Sequence, residues 1–296
     1  MLPDSKMAFK ELSEWFLGLG KVKSLACYRR RCTTLKNFNA VFGETVVSKI
    51  KPSDLEDYQI KRKSQGKADG TVDIELADAR TVVYKAFTNA IVGSDTLRTF
   101  KAVKNISKRN ANARDRILSS EEFDRLLAGA AEHLRPILVT AYYTGMRKSE
   151  VLSLTWDRVD LKGRVIRLEA QHTKNREQRA IPICDPLFDE LKTIPRGIHG
   201  LVFRYNGAGV RDIDTAIATA CRKAKITCGR AQKGGFTFHD LRHTFNTNMR
   251  KAGVSESVIM DITGHSTREM FDRYNTIDDV DREKAIGQFK NFLEKC

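Results

Sequence analysis

Residues 237–274 read TFHDLRHTFNTNMRKAGVSESVIMDITGHSTREMFDRY, and their punctuation allows little besides short helices set at fixed angles by glycines. Thr237 is placed to cap a helix, Asp240 suits the positive end of its dipole, and Gly253 is a natural stop. A second helix fits residues 255–262 and ends at Gly264, and a third fits 267–274. His239 and Arg242 lie three apart, so they project from one helical face. His265 falls in the tight connection after Gly264, and Tyr274 lies near the end of the third helix.

Guanidinium and imidazole donors stabilise the spread charge of a phosphoryl transition state, and a tyrosine phenol can act as its nucleophile. HDLRHTF, then GH, then a tyrosine nine residues on resemble the C-terminal signature of the tyrosine recombinases, the phage-integrase family of site-specific DNA recombinases. Upstream, TGMRKSEVLSL (144–154) resembles the first arginine box of that family. There Arg147 matches the first catalytic arginine, and Glu150 matches the acidic residue that supports the site. RVIRLE (164–169) alternates like a strand, AIPI (180–183) reads as its partner, and QHTKNREQR (171–179) is a hairpin with a basic tip. In the family a lysine on this hairpin is the general acid, which makes Lys174 the matching residue. Taken singly, each residue has a plainer role. His239 and His265 would be structural, Arg242 an ion-pair partner, Tyr274 a core residue, and Arg147 with Glu150 a surface pair. Their joint order is what points to a site. His243, one position past Arg242, points elsewhere and is expected to make a buried hydrogen bond.

The chain has 296 residues and a formal charge of +15, from 52 Lys and Arg against 37 Asp and Glu. Such a charge favours a polyanionic partner. Residues 1–110 hold 21 basic against 12 acidic residues, a net of +9, so positive charge is densest there. The six cysteines form no CxxC pair and no zinc spacing, which fits reduced thiols. No stretch is apolar for long enough to span a membrane, and no signal region opens the chain.

Residues 1–104 read as amphipathic helices. The first covers 7–19 with Phe9, Leu12, Trp15, Phe16 and Leu19 on one side, and the second runs from a Ser24 cap to Phe42. Ser53 with Glu56 is a capping-box pattern for a third, through Lys63. Thr71 caps a long fourth, whose expected buried set is Ile74, Leu76, Val82, Val83, Phe87 and Ile91. These make a compact bundle, with Arg29, Arg30, Arg31, Lys61, Arg62, Lys63, Lys108 and Arg109 as candidates for DNA phosphate contact. Residues 105–118 are polar and basic and read as an interdomain linker, followed by a second domain over 119–296. In that domain Ser119 with Glu122 is another capping box, residues 133–143 fit a buried helix, and 210–223 fit a further one.

The resemblance implies a mainly α fold with a small antiparallel β-sheet. It would comprise an N-terminal helical core-DNA-binding bundle and a mixed α/β catalytic domain, together a C-shaped DNA clamp. It implies a site-specific recombinase that cleaves and rejoins duplex DNA through a 3′-phosphotyrosine. Strand exchange would pass through a Holliday junction in a homo-tetramer on two duplexes, with neither metal nor other cofactor. Integration or excision of a phage or other mobile element, possible DNA-bending accessory proteins and a cytoplasmic, nucleoid-associated setting follow from the same likeness. The alternatives are a type IB topoisomerase-like enzyme and a catalytically silent DNA-binding regulator. An arm-binding domain ahead of the bundle is not seen. The tail, from residue 277, sets Ile286, Phe289, Phe292 and Leu293 on one helical face, suited to docking on a neighbouring subunit as family tails do or to packing on its own domain.

Overall fold

The computed structural model describes residues 6–108, 114, 116–170, 178–196, 200–272 and 279–294. The chain divides into two compact units, Met1–Ala111 and Asn112–Cys296.

The first unit is helical: α1 (Phe9–Gly18), α2 (Gly20–Lys23), α3 (Tyr28–Phe42), α4 (Pro52–Ser64), α5 (Asp69–Thr88) and α6 (Ser94–Ala102). Its core gathers Phe9, Phe38, Tyr58, Leu76, Val82 and Phe100. Three helix starts differ from the sequence reading for local reasons. Ser24 closes α2, its hydroxyl donating to the Lys21 carbonyl at 3.0 Å, and α3 begins only at Tyr28. The cap of α4 is Lys51, with Pro52 at the first turn and the Asp54 carboxylate accepting from the Lys51 N–H at 2.9 Å. The long helix starts at Asp69 after Ala68, ahead of Thr71. Ile74, expected inside, is 42% exposed. The inward arc of α5 instead carries Val72, Leu76, Ala79, Val82, Val83 and Ala86, flanked by the buried carboxylates Asp73, Glu75 and Asp78. Phe87 and Ile91 are partly buried against the core.

The second unit opens with α7 (Ser120–Gly129), whose box is formed as read: Ser119 Oγ accepts from the Glu122 N–H at 3.2 Å. Then come α8 (Arg135–Thr144), α9 (Lys148–Leu152), β1 (Val159–Asp160), β2 (Val165–Leu168), β3 (Arg179–Pro182), α10 (Asp185–Thr193), β4 (Arg204–Tyr205) and β5 (Ala208–Gly209). The chain continues through α11 (Asp214–Ala224), α12 (His239–Lys251), α13 (Glu256–Thr263), α14 (Arg268–Asp272) and α15 (Asp279–Leu293). The first three strands form an antiparallel sheet in the order β1-β2-β3, with Ile166 opposite Ile181 and Leu168 opposite Arg179. β4 and β5 form a small hairpin. The core runs from Leu126, Ile137 and Leu138 through Ile166 and Ile181 to Phe236 and Leu241, and so seats α12 against α8. In α15, Ile286 is 70% and Phe289 60% exposed. Among the described residues no helix is long and apolar enough to cross a membrane.

Candidate active site

Three backbone devices assemble the site. Gly145 ends α8 in the left-handed conformation, at φ 61°, and turns the chain so that Arg147 caps α9. Gly264 does the same after α13, at φ 68°, and folds His265 back so that its N–H reaches the Met260 carbonyl at 3.0 Å. The third is the start of α12. Thr237 does not accept a cap bond there; its N–H and hydroxyl both donate to Asp240 Oδ2, at 2.7 and 3.0 Å. Asp240 is buried and is held from its other side by Arg114, whose Nε and Nη2 each reach the carboxylate at 2.7 Å. A residue read as linker thus anchors the helix that carries His239 and Arg242.

Each arginine holds one of the two glycine turns. Arg147 Nη2 donates to the Gly264 carbonyl at 3.0 Å, beside His265. Arg242, 1% exposed, donates from Nη1 to the Gly145 carbonyl at 2.7 Å and from Nη2 to His265 Nε2 at 2.8 Å. Guanidinium has no acceptor, so Nε2 carries the lone pair and Nδ1 the proton. That proton points at Thr263 Oγ1, 2.8 Å away, and the Thr263 hydroxyl donates onward to the Ile259 carbonyl at 2.6 Å. The ring also packs edge-on to buried Phe271. Burial, then the charges of Arg242 and Arg147, push His265 down to about 2. Burial and Arg242 likewise push half-buried His239 down to about 4, so both imidazoles are neutral near pH 7.

Glu150 is buried and accepts from the Arg147 N–H and Nη1, both at 2.9 Å. It also accepts from Arg179 Nη2 at 2.6 Å. Burial alone would raise its pKa, but Arg179 and the bonds from Arg147 outweigh this and lower it. Arg147, Glu150, His239, Arg242 and His265 are therefore gathered in one place. Lys174 and Tyr274 lie outside the described residues, as does Arg109. His243 is buried in α12, away from solvent.

Arg179, Thr263 and Arg114 escaped the sequence reading. For Arg179 a signal existed. It stands two residues before Ile181 on an alternating strand, and so falls on the buried face, where an unpaired arginine is costly. A cleft of about 300 Å³ beside this cluster is lined by Arg179, Asp261, Gly264 and His265. Among the described residues, no three His, Cys, Asp or Glu side chains gather so as to hold a metal ion.

The candidates in the first unit divide. Arg29, Lys61 and Lys108 are exposed. Arg62 is mostly buried with its fork on Glu75, from Nε to Oε2 at 2.8 Å and from Nη2 to Oε1 at 2.7 Å. Arg30 and Arg31 pair with buried Asp78 at 3.2 and 3.4 Å, and Lys63 pairs with Asp69 at 3.2 Å.

Residues 116–280, more than half of the chain and the stretch that holds this site, match the phage integrase family. The chain belongs to the phage integrase family. Its relatives include the integrase of Salmonella phage P22, 28% identical over 171 residues, which cover 55% of this chain and 44% of that protein. A shufflon-specific DNA recombinase of Escherichia coli is 30% identical over 208 residues, covering 69% of this chain and 50% of the relative. The chain thus spans about half the length of these two relatives. A lambda integrase tetramer bound to a Holliday junction shares the fold, with a TM-score of 0.75 at 13% identity over 92% of this chain and 78% of that one. Among phage integrases, then, this chain carries a mainly helical fold with small antiparallel sheets.

Proposed function

We propose that this integrase-family protein is a site-specific DNA recombinase that cuts and rejoins strands through a tyrosine–DNA intermediate. The observation that carries the reading is the pair of bonds from Arg147 to the Gly264 carbonyl and from Arg242 to the Gly145 carbonyl, which fixes two guanidiniums beside His265. Two forks held rigidly before substrate arrives match the non-bridging oxygens of one phosphate and need no reorganisation in the transition state.

In this reading the Tyr274 phenol oxygen attacks the scissile phosphorus as the bond to the 5′-oxygen breaks. The phenol proton passes to His239, and Lys174 gives a proton to the departing 5′-oxygen. The products are a 3′-phosphotyrosine and a free 5′-hydroxyl, and attack by a 5′-hydroxyl reverses the step. No step draws on ATP, because the phosphotyrosine keeps the energy of the broken ester, and the two guanidiniums take the charge-stabilising part that a metal ion plays elsewhere. With its pKa near 4, His239 is a weak base in the free protein. A phosphate dianion-like transition state between the arginines raises its proton affinity at the moment the proton moves.

The first unit and the 105–118 linker then serve DNA backbone binding, through Arg29, Lys61 and Lys108 first, and residues 119–296 serve catalysis. The relatives support a role in moving a phage or other mobile element, and lambda integrase binds a Holliday junction as a tetramer. A homo-tetramer on two duplexes, with DNA-bending helpers in a bacterial cytoplasm, is the matching assembly.

The test is capture of a covalent adduct on a nicked duplex library in EDTA, comparing the wild type with Tyr274→Phe. A protein–DNA band at the 3′ end, absent in the variant, is expected, and its sequence names the target. Relaxation of DNA lacking that site would favour the topoisomerase reading. Cleavage abolished by EDTA would overturn the proposal.

A further inference from the structure

We propose that Arg179 is a positioning residue of this reaction: it holds Glu150 in place and offsets its charge, so that Arg147 keeps a free positive charge for the phosphate. The inference rests on the function proposed above.

Arg179 opens β3 and shares its inward face with Ile181. Its side chain is 3% exposed, and Nη2 meets Glu150 Oε2 at 2.6 Å. Glu150 also takes the N–H and Nη1 of Arg147. One carboxylate is therefore shared by two guanidiniums, of which Arg147 is the more open at 16% side-chain exposure. An isolated Arg147–Glu150 pair would be electrically neutral and a poor anion site. With Arg179 the group is net positive.

The rest of Arg179 strengthens the point. Among the described residues neither its Nε nor its Nη1 meets an acceptor, and both atoms are buried. Unsatisfied buried donors are costly, and a fold that only needed to close this gap could do so with an apolar side chain. Among the described residues its one ion pair is with the shared Glu150, and the guanidinium lies directly under the His265 turn. A Cβ built at Gly264 would stand 2.6 Å from Arg179 Nη1. Arg179 thus touches both segments that set the phosphate pocket, the head of α9 through Glu150 and the α13 turn through Gly264. It contacts no reacting atom and acts only through these neighbours.

Among the described residues the charged groups that act most on Glu150 are Arg179 from β3 and Arg147 on its own turn. Loss of Arg179 removes the largest of the influences that oppose burial, so the hold on the Glu150 proton shifts upward.

The experiment measures single-turnover adduct formation by the full chain on the nicked duplex library. It compares the wild type with Arg179→Met, Arg179→Lys, Glu150→Gln and the double variant Glu150→Gln/Arg179→Met. Arg179→Met should slow the adduct at least tenfold, leave duplex affinity within about twofold, and acquire a rate that rises with pH between 5 and 7.5. Arg179→Lys should recover much of the rate. The double variant, which removes both charges and so guards against a misfolded single, should be no slower than Glu150→Gln alone. A wild-type rate in Arg179→Met, additive losses in the double variant, or an equal loss in Met and Lys variants with an unchanged pH profile would overturn the proposal. No adduct from the wild type would overturn the functional reading and this proposal together.

Discussion

Arg242 Nη2 lies 2.8 Å from His265 Nε2 with both side chains buried, and this one bond dictates the histidine tautomer. The remaining ring proton must go to Thr263 Oγ1, which hands its own proton to the Ile259 carbonyl. Thr263→Val keeps the shape and removes the acceptor. A buried N–H left unmet costs about 1–3 kcal/mol, roughly tenfold or more in rate where the ring must be oriented. Adduct formation should slow about tenfold by that conversion, with DNA affinity unchanged and Thr263→Ser close to wild type. Single-turnover rates of the two variants check this, and equal rates would remove Thr263 from the site.

Stability should fall on mild acidification. The ordinary histidine value is 6.5, whereas folded His239 holds off its proton until about 4. The unfolded chain therefore binds more protons in that window. Stability is fully present above pH 6.5 and is lost as pH falls toward 4, by up to about 1.4 kcal/mol per pH unit for each such histidine. His265 acts in the same direction. Melting temperatures between pH 8 and 5 should drop less steeply for His239→Gln than for the wild type. Parallel curves would show that His239 does not contribute.

Gly264 and Gly253 offer a controlled comparison. Both have positive φ, 68° and 84°, but an added Cβ meets nothing within 4 Å at Gly253 and lies 2.6 Å from Arg179 Nη1 at Gly264. Each alanine bears the left-handed backbone cost of about 1–2 kcal/mol. Gly264→Ala must also displace an arginine pinned to Glu150. It should melt lower than Gly253→Ala and lose adduct formation, whereas Gly253→Ala should retain it. Calorimetry with the cleavage assay decides the matter.

In the first unit the cations differ in what removing them does. Glu75 is fully buried and takes Arg62, the Tyr58 hydroxyl at 2.7 Å and Asn37 Nδ2 at 2.8 Å. Arg62→Ala strands that carboxylate and should cost about 3–5 kcal/mol. Exposed Lys61 should cost almost nothing in stability, yet Lys61→Ala should weaken DNA binding and reduce the salt slope by about 1. Denaturant midpoints and salt-dependent binding separate the two. A stable Arg62→Ala would contradict the structural role.

What could be read from residue order alone was whatever depends on near neighbours. The Ser119–Glu122 box, the stops at Gly145 and Gly264, and the pairing of Arg147 with Glu150 three residues on all arise within one helical turn, where geometry is set by the backbone. The misplaced starts of α3 and α4 were also local, but there the Ser24 hydroxyl turns back to the Lys21 carbonyl and Pro52 starts the helix ahead of Ser53. Ile74 faced outward because the inward arc of α5 is taken by Val72, Leu76, Ala79, Val82, Val83 and Ala86, with Asp73, Glu75 and Asp78 paired at its flanks.

The sequence by itself thus determined which chemical groups the chain carries, the helical faces that present them, and the family to which their order belongs. Only the tertiary structure decided whom they meet. Arg242 reaches Gly145 across 97 positions, Arg147 reaches Gly264 across 117, and Arg114 reaches Asp240 across 126. It also decided that Arg62 is spent on Glu75 and that the proton of His265 sits on Nδ1. The reason is physical: hydrophobic period marks which side of an element turns inward, whereas the strength of a charge, the sign of a pKa shift and the choice of tautomer depend on desolvation and on partners. Folding brings those partners in from distant parts of the chain.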